Sequence, residues 1–116
     1  MNNGTMFNQR EIILVAFPFS DLSNYKKRPA LIISNDKFNQ SYEDIICCMI
    51  TSNPEAKDGI DLKQKDLEQG NIFFDSIIKP HRLFTVSKKI ILKKLGLLKK
   101  NKTMSVEKKI KELVRV

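Results

Sequence analysis

Four glycines, four prolines, two cysteines, one histidine and no tryptophan leave this 116-residue chain without most of the parts that announce a chemistry. Four glycines build no glycine-rich phosphate cradle, and neither GxxxxGK[ST] nor GxGxxG occurs, which argues against nucleotide-driven reactions. A single histidine excludes HExxH, and a Ser-His-Asp hydrolase lacks its GxSxG nucleophile motif. That histidine stands in Lys79-Pro80-His81-Arg82 and reads as an exposed loop residue or a phosphate contact. The cysteines, Cys47 and Cys48, are adjacent. Neighbours on a strand point to opposite faces and cannot close an unstrained disulfide, so both are expected to be reduced. A structural zinc site takes about four Cys or His ligands, more than the chain offers, and no metal or other cofactor is expected. No apolar run approaches the roughly 18 residues that span a bilayer. Residues 1–9 are polar, without the basic start and apolar stretch of a secretory signal, which predicts a flexible N-terminus and a cytoplasmic protein with no membrane association.

What the chain does have fits one soluble domain, with 41% hydrophobic and 29% charged residues. Chains divide into two cores only near 250 residues. The formal charge of +8 is uneven: residues 1–78 hold 8 Lys/Arg against 11 Asp/Glu, whereas residues 79–116 hold 13 against 2. Such a basic pole suits an anionic partner, since clustered cations release counterions from a phosphate backbone. Lysine outnumbers arginine 17 to 4, however, and a compositional bias toward lysine gives the same surface with no function attached.

Hydropathy along the chain predicts mostly strands. Glu11 to Phe17 is an apolar, β-rich run ending at Pro18, and Ser20 to Arg28 reads as a functional loop of turn formers and charges. Strands are predicted over Pro29 to Ser34, Asp44 to Thr51, Gly59 to Leu62, Ile72 to Ile78, Arg82 to Val86 and Lys89 to Leu98, with a turn over Asn35 to Ser41. Gly96 within the last marks a bulge or a close backbone approach. Only residues 104–115 look helical: Val106, Ile110, Leu113 and Val114 share one face, and Thr103 or Ser105 is available as N-cap. The expected fold class is mainly β with α, a small SH3-like barrel of about five to seven strands with a C-terminal helix.

The stretch Glu11-Ile-Ile-Leu-Val-Ala-Phe-Pro-Phe-Ser-Asp-Leu-Ser, followed by Lys27-Arg28-Pro29-Ala30-Leu31-Ile32-Ile33-Ser34, resembles the opening of the MazF/PemK toxin family. Ile50-Thr51-Ser52 resembles the family's Thr-Ser strand end, and Ser76-Ile-Ile-Lys-Pro-His-Arg-Leu-Phe-Thr-Val its next strand pair. Ile91 to Leu98 with Gly96 resembles the last strand before the C-terminal helix. The family usually opens its first strand with Gly-Asp; Arg10-Glu11 stands there here, keeping the acid and losing the glycine.

The resemblance implies a type II toxin that cuts single-stranded RNA without a metal, works as a homodimer and is silenced by an acidic antitoxin. Such cleavage has the neighbouring 2′-hydroxyl attack phosphorus, so the protein must help remove a proton, stabilise added negative charge and protonate the leaving oxygen. By that resemblance Arg28 and Thr51 are the catalytic pair, with Ser52 a helper. A guanidinium fork suits two phosphate oxygens but is a poor proton acceptor, so Asp21 and His81 are the candidates for the base. Phe19, Lys26, Lys27, Phe38, Lys79 and Arg82 are candidate RNA contacts; the other phenylalanines of the strand patterns are expected in the core. Taken alone, Arg28 beside a strand also reads as a surface ion-pair residue, and Thr51 as an ordinary β-former. Two alternatives remain, a CcdB-like non-enzymatic poison of DNA gyrase and an RNA-binding barrel that never cuts.

Overall fold

The computed structural model describes residues 5–18 and 25–116. The apolar runs at Glu11–Pro18 (β1) and Asp44–Thr51 (β3) form long strands because their residues alternate between two apolar faces, leaving neither side for solvent. Tyr25–Ile32 (β2) lies between them and pairs antiparallel with both. Ile60–Leu62 (β4), Leu67–Gly70 (β5), Ser76–Ser87 (β6) and Ile91–Leu98 (β7) complete a seven-stranded antiparallel sheet of order β4-β6-β3-β2-β1-β7-β5. The sheet curls into a half-barrel, with β4 and β5 at its two edges.

One core holds Ile12, Leu31, Cys48, Ile50, Leu62, Leu67, Ile78 and Leu98, so residues of both edge strands meet on this face. Val106 and Ile110 of the helix Lys100–Leu113 (α2) cover it. The opposite face holds Phe7, Ile13, Val15, Ala30, Ile32, Ile45, Cys47 and Val86, with Phe17 and Phe84 packed edge to face at 5.2 Å. Strand β6 bends beside this core: its pairing with β3 jumps from Cys48 opposite Leu83 to Met49 opposite Lys79, leaving Pro80, His81 and Arg82 unpaired in the corner.

Several sequence expectations need correction. Lys26, Lys27 and Arg28 belong to β2, because register with β1 extends the strand past its apolar part. The predicted turn at residues 35–41 contains a short helix, Asp36–Ser41 (α1), whose first N–H groups are met by the Asn35 side chain, which accepts from Phe38 N at 2.9 Å. Residues 82–86 are the second half of one bent strand, and Leu67–Gly70, which sequence patterning missed, is a strand of its own. Helix α2 begins earlier than predicted, after Lys99, with no side-chain cap. Thr103 and Ser105 instead donate their hydroxyls back to the carbonyls of Lys99 and Asn101. Asp66 anchors that end: its carbonyl accepts Lys99 N at 2.9 Å and its carboxylate pairs with Lys102 at 3.5 Å. Leu113 and Val114 of the predicted apolar stripe are exposed.

Cys47 and Cys48 are free, as expected, and each is fully buried in a different core. Burial pushes both thiols up to about 12. Neither should react with a thiol reagent at pH 8 in the folded protein, and both should react within minutes in denaturant; rapid native labelling would contradict the burial.

Arg10 shows what the lost glycine costs. Its φ is 79°, a left-handed conformation disfavoured for side-chain-bearing residues. The fold pins it there, since Arg10 N donates to Ile32 O at 3.0 Å and Arg10 O accepts from Leu98 N at 2.8 Å. The guanidinium gains only a 3.7 Å contact with the half-exposed Glu68 carboxylate. Arg10→Gly is therefore expected to raise stability by about 0.5–1 kcal/mol after the flexibility of glycine in the unfolded chain is offset. A urea titration with a lower midpoint than wild type would refute this. The retained acid, Glu11, is structural: it accepts Asn8 N at 2.7 Å and pairs with Lys94 Nζ at 2.9 Å.

Candidate active site

Arg28 and Thr51 sit on neighbouring strands at the same end of the sheet. In β2, Ala30 and Ile32 enter the second core, so alternation puts Arg28 on that face, beyond the core's edge and exposed to solvent; its cross-strand partner Val15 lies in the same core. In β3, Ile45 and Cys47 enter that core, and Thr51 follows on the same side. The β2–β3 ladder ends at Ala30 opposite Met49, and two further residues in that register bring Arg28 opposite Thr51. The two side chains therefore share one face of the sheet and one end of it. The Thr51 hydroxyl oxygen accepts Asn53 N at 3.2 Å, which fixes the oxygen and leaves its proton free to donate outward.

The register brings further charges to this face. Lys26 precedes Arg28 by one alternation and is exposed, and Lys79 is the cross-strand partner of Met49. Thr51 pairs with Ile77, and Ile77 with Asp61 of β4, which places a carboxylate two strands, about 10 Å, from Thr51. Asp75, just before β6, falls on the same alternation as Ile77.

Other predicted residues lie elsewhere. Lys27 alternates to the opposite face, and Ser52, one residue beyond Thr51, lines a cleft there. His81 sits in the β6 corner, in a separate cleft with Lys57, Asp58, Lys109 and Leu113, and Arg82 is exposed beside it. Phe38 stacks on Tyr42 at 4.6 Å on α1, which follows the far end of β2 from Arg28. Phe19 and Asp21 fall outside the described residues. Among the described residues no three His, Cys, Asp or Glu side chains come together as a metal site, and no helix is long and apolar enough to cross a membrane.

Two aromatics contradict the sequence reading. Phe73 and Phe74, expected in the core as part of a strand over residues 72–78, lie in the loop before β6 and are 91% and 71% exposed. The signal was present in the flanking Gly70-Asn71 and Asp75-Ser76, turn formers that bracket the run on both sides.

Solved structures share this fold. An endoribonuclease from a mycobacterial species superposes with a TM-score of 0.71 at 12% identity, covering 93% of this chain and 90% of its own. A MazE-MazF structure from Deinococcus radiodurans gives 0.70 at 14% identity, with 97% and 98% covered. A second mycobacterial endoribonuclease, in complex with its cognate antitoxin, gives 0.65 at 18% identity, with 95% and 90% covered. No curated protein sequence matches significantly. The profile of the PemK-like, MazF-like toxins of type II toxin-antitoxin systems matches residues 8–114, and the chain belongs to that family.

Proposed function

We propose that this protein is a cytoplasmic endoribonuclease toxin that cuts single-stranded RNA without a metal ion. The observation that carries the proposal is the placement of Arg28 and Thr51 on one face at one strand end. A phosphodiester set between them would receive the guanidinium fork on its two non-bridging oxygens and the Thr51 hydroxyl as a further donor. These groups strengthen their hold as the 2′-hydroxyl attacks and the phosphoryl oxygens gain charge. The attacking hydroxyl's proton passes to a carboxylate of this face, for which Asp75, just before the strand beside Thr51, is the candidate, and Lys79 is a donor for the leaving 5′-oxygen. His81, in its separate cleft, stands outside this scheme. The proposed assembly is a homodimer, and the proposed silencing partner is an acidic antitoxin that folds onto the basic face around Lys26, Arg28 and Lys79 and so competes with RNA.

Incubation of the purified protein with single-stranded RNA in EDTA tests the proposal. Cleavage leaving a 5′-hydroxyl supports it. Intact RNA with inhibited DNA gyrase would indicate a gyrase poison, and bound but uncut RNA a binding module; either result refutes the nuclease.

A further inference from the structure

On the sheet face opposite Arg28 lies a cleft of about 260 Å³, floored by Leu14, Pro29, Ile50 and Leu95 and walled by Phe73 and Phe74. We propose that this cleft is a base-recognition pocket, which takes one unstacked nucleobase of the RNA next to the cut phosphate. The inference rests on the nuclease reading above and adds to it the residues that choose the sequence.

Three observations carry it. The first is position. Pro29 and Ser52 line the cleft and directly follow Arg28 and Thr51 in the chain, so phosphate site and cleft lie on the two faces of the sheet where β3 ends, a sheet thickness apart. RNA bending round that end can place a phosphate on one face and an adjacent base on the other. The second is shape and size. The volume lies below the roughly 300 Å³ at which pockets for drug-sized ligands begin, so the cleft suits one ring system. Its walls are two exposed aromatic rings belonging to neither core, the kind of surface on which single-stranded bases stack.

The third is its fringe. Ser52 and Asn71 line the cleft, and neither side chain makes a hydrogen bond among the described residues. Lys93, also on the rim, is exposed and enters no ion pair among the described residues. A purely apolar partner would leave this fringe idle. A base would use it: the Asn71 amide and Ser52 hydroxyl can read a Watson–Crick edge, and the Lys93 ammonium can meet the phosphate that follows.

Photo-crosslinking combined with cut-end sequencing tests the pocket. RNA carrying 5-iodouridine, bound to the Arg28→Ala protein so that it stays intact, should crosslink to Phe73 or Phe74. Phe73→Ala should weaken RNA binding roughly 10-fold. Asn71→Ala should lose preference at one base position in a sequenced RNA pool. Light scattering on each variant reports whether the mass of the assembly has changed. Crosslinks confined to other residues, with wild-type cutting and an unchanged preference in Asn71→Ala, would overturn the pocket and leave the nuclease standing. A change of mass in Phe73→Ala without change in preference would assign the cleft to a protein interface and likewise overturn it. Wild-type protein that neither cuts nor crosslinks RNA would remove both readings together.

Discussion

Arg28→Ala is expected to lower the rate of RNA cleavage on the order of 10²- to 10³-fold, the loss seen when one donor to a developing oxyanion is removed. Arg28 stands in the exposed first half of β2, and neither core includes it, so its removal leaves no cavity and should not change the thermal midpoint. Loss of rate with unchanged stability therefore separates a chemical role from a structural one. Arg28→Lys sharpens the test. Lysine keeps the charge but donates from a single point, so it should recover only a small part of the rate if two phosphate oxygens are held at once. Binding of an uncleavable all-2′-deoxy oligonucleotide should weaken far less than the rate falls, because in the proposed chemistry the added charge that Arg28 meets belongs to the transition state. Full activity in Arg28→Ala, or equal loss of binding and rate, would remove the residue from the proposed chemistry.

How much of this could be read beforehand differs from element to element. The strands β1 and β3 were legible because each is a continuous apolar run long enough for both faces to be buried. The first half of β2 was not, because Lys26, Lys27 and Arg28 are exposed and carry no apolar pattern; pairing with β1 makes them a strand. Strand β5 has one buried residue, Leu67, and its extended form follows from contact with β7. The proposed catalytic pair shows the same limit. Arg28 and Thr51 face each other only through the register of two strands, which no local spacing encodes; the family resemblance named both, and the Ala30–Met49 pairing gives them a common face. Phe73 and Phe74 were misread because apolar residues in a short run suggest burial, whereas the turn formers on either side hold them outside.

Gly70→Ala is expected to be strongly destabilising, because the surroundings are backbone and cannot move aside. Gly70 has a φ of 86°, and a Cβ there would stand 2.2 Å from Leu95 O and 2.5 Å from Gly96 Cα. The approach is mutual: a Cβ on Gly96 would meet Gln69 O at 2.6 Å. The strands β5 and β7 thus touch through two bare backbones, and relief requires them to separate. Separation would loosen Leu67, which closes one edge of the first core, and with it Asp66, which holds the start of α2 through Lys99 and Lys102. The left-handed conformation costs an alanine about 1–2 kcal/mol, and the steric overlap adds a similar amount, so a loss of about 3 kcal/mol follows. In a chain of this length that lowers the thermal midpoint by roughly 10–15 °C. Glu68→Ala on the same strand is the control, since its exposed contact with Arg10 should be worth less than about 0.5 kcal/mol. Calorimetry on both variants checks the argument, and a Gly70→Ala protein as stable as the Glu68→Ala control would mean that β5 and β7 do not meet as closely as this geometry requires.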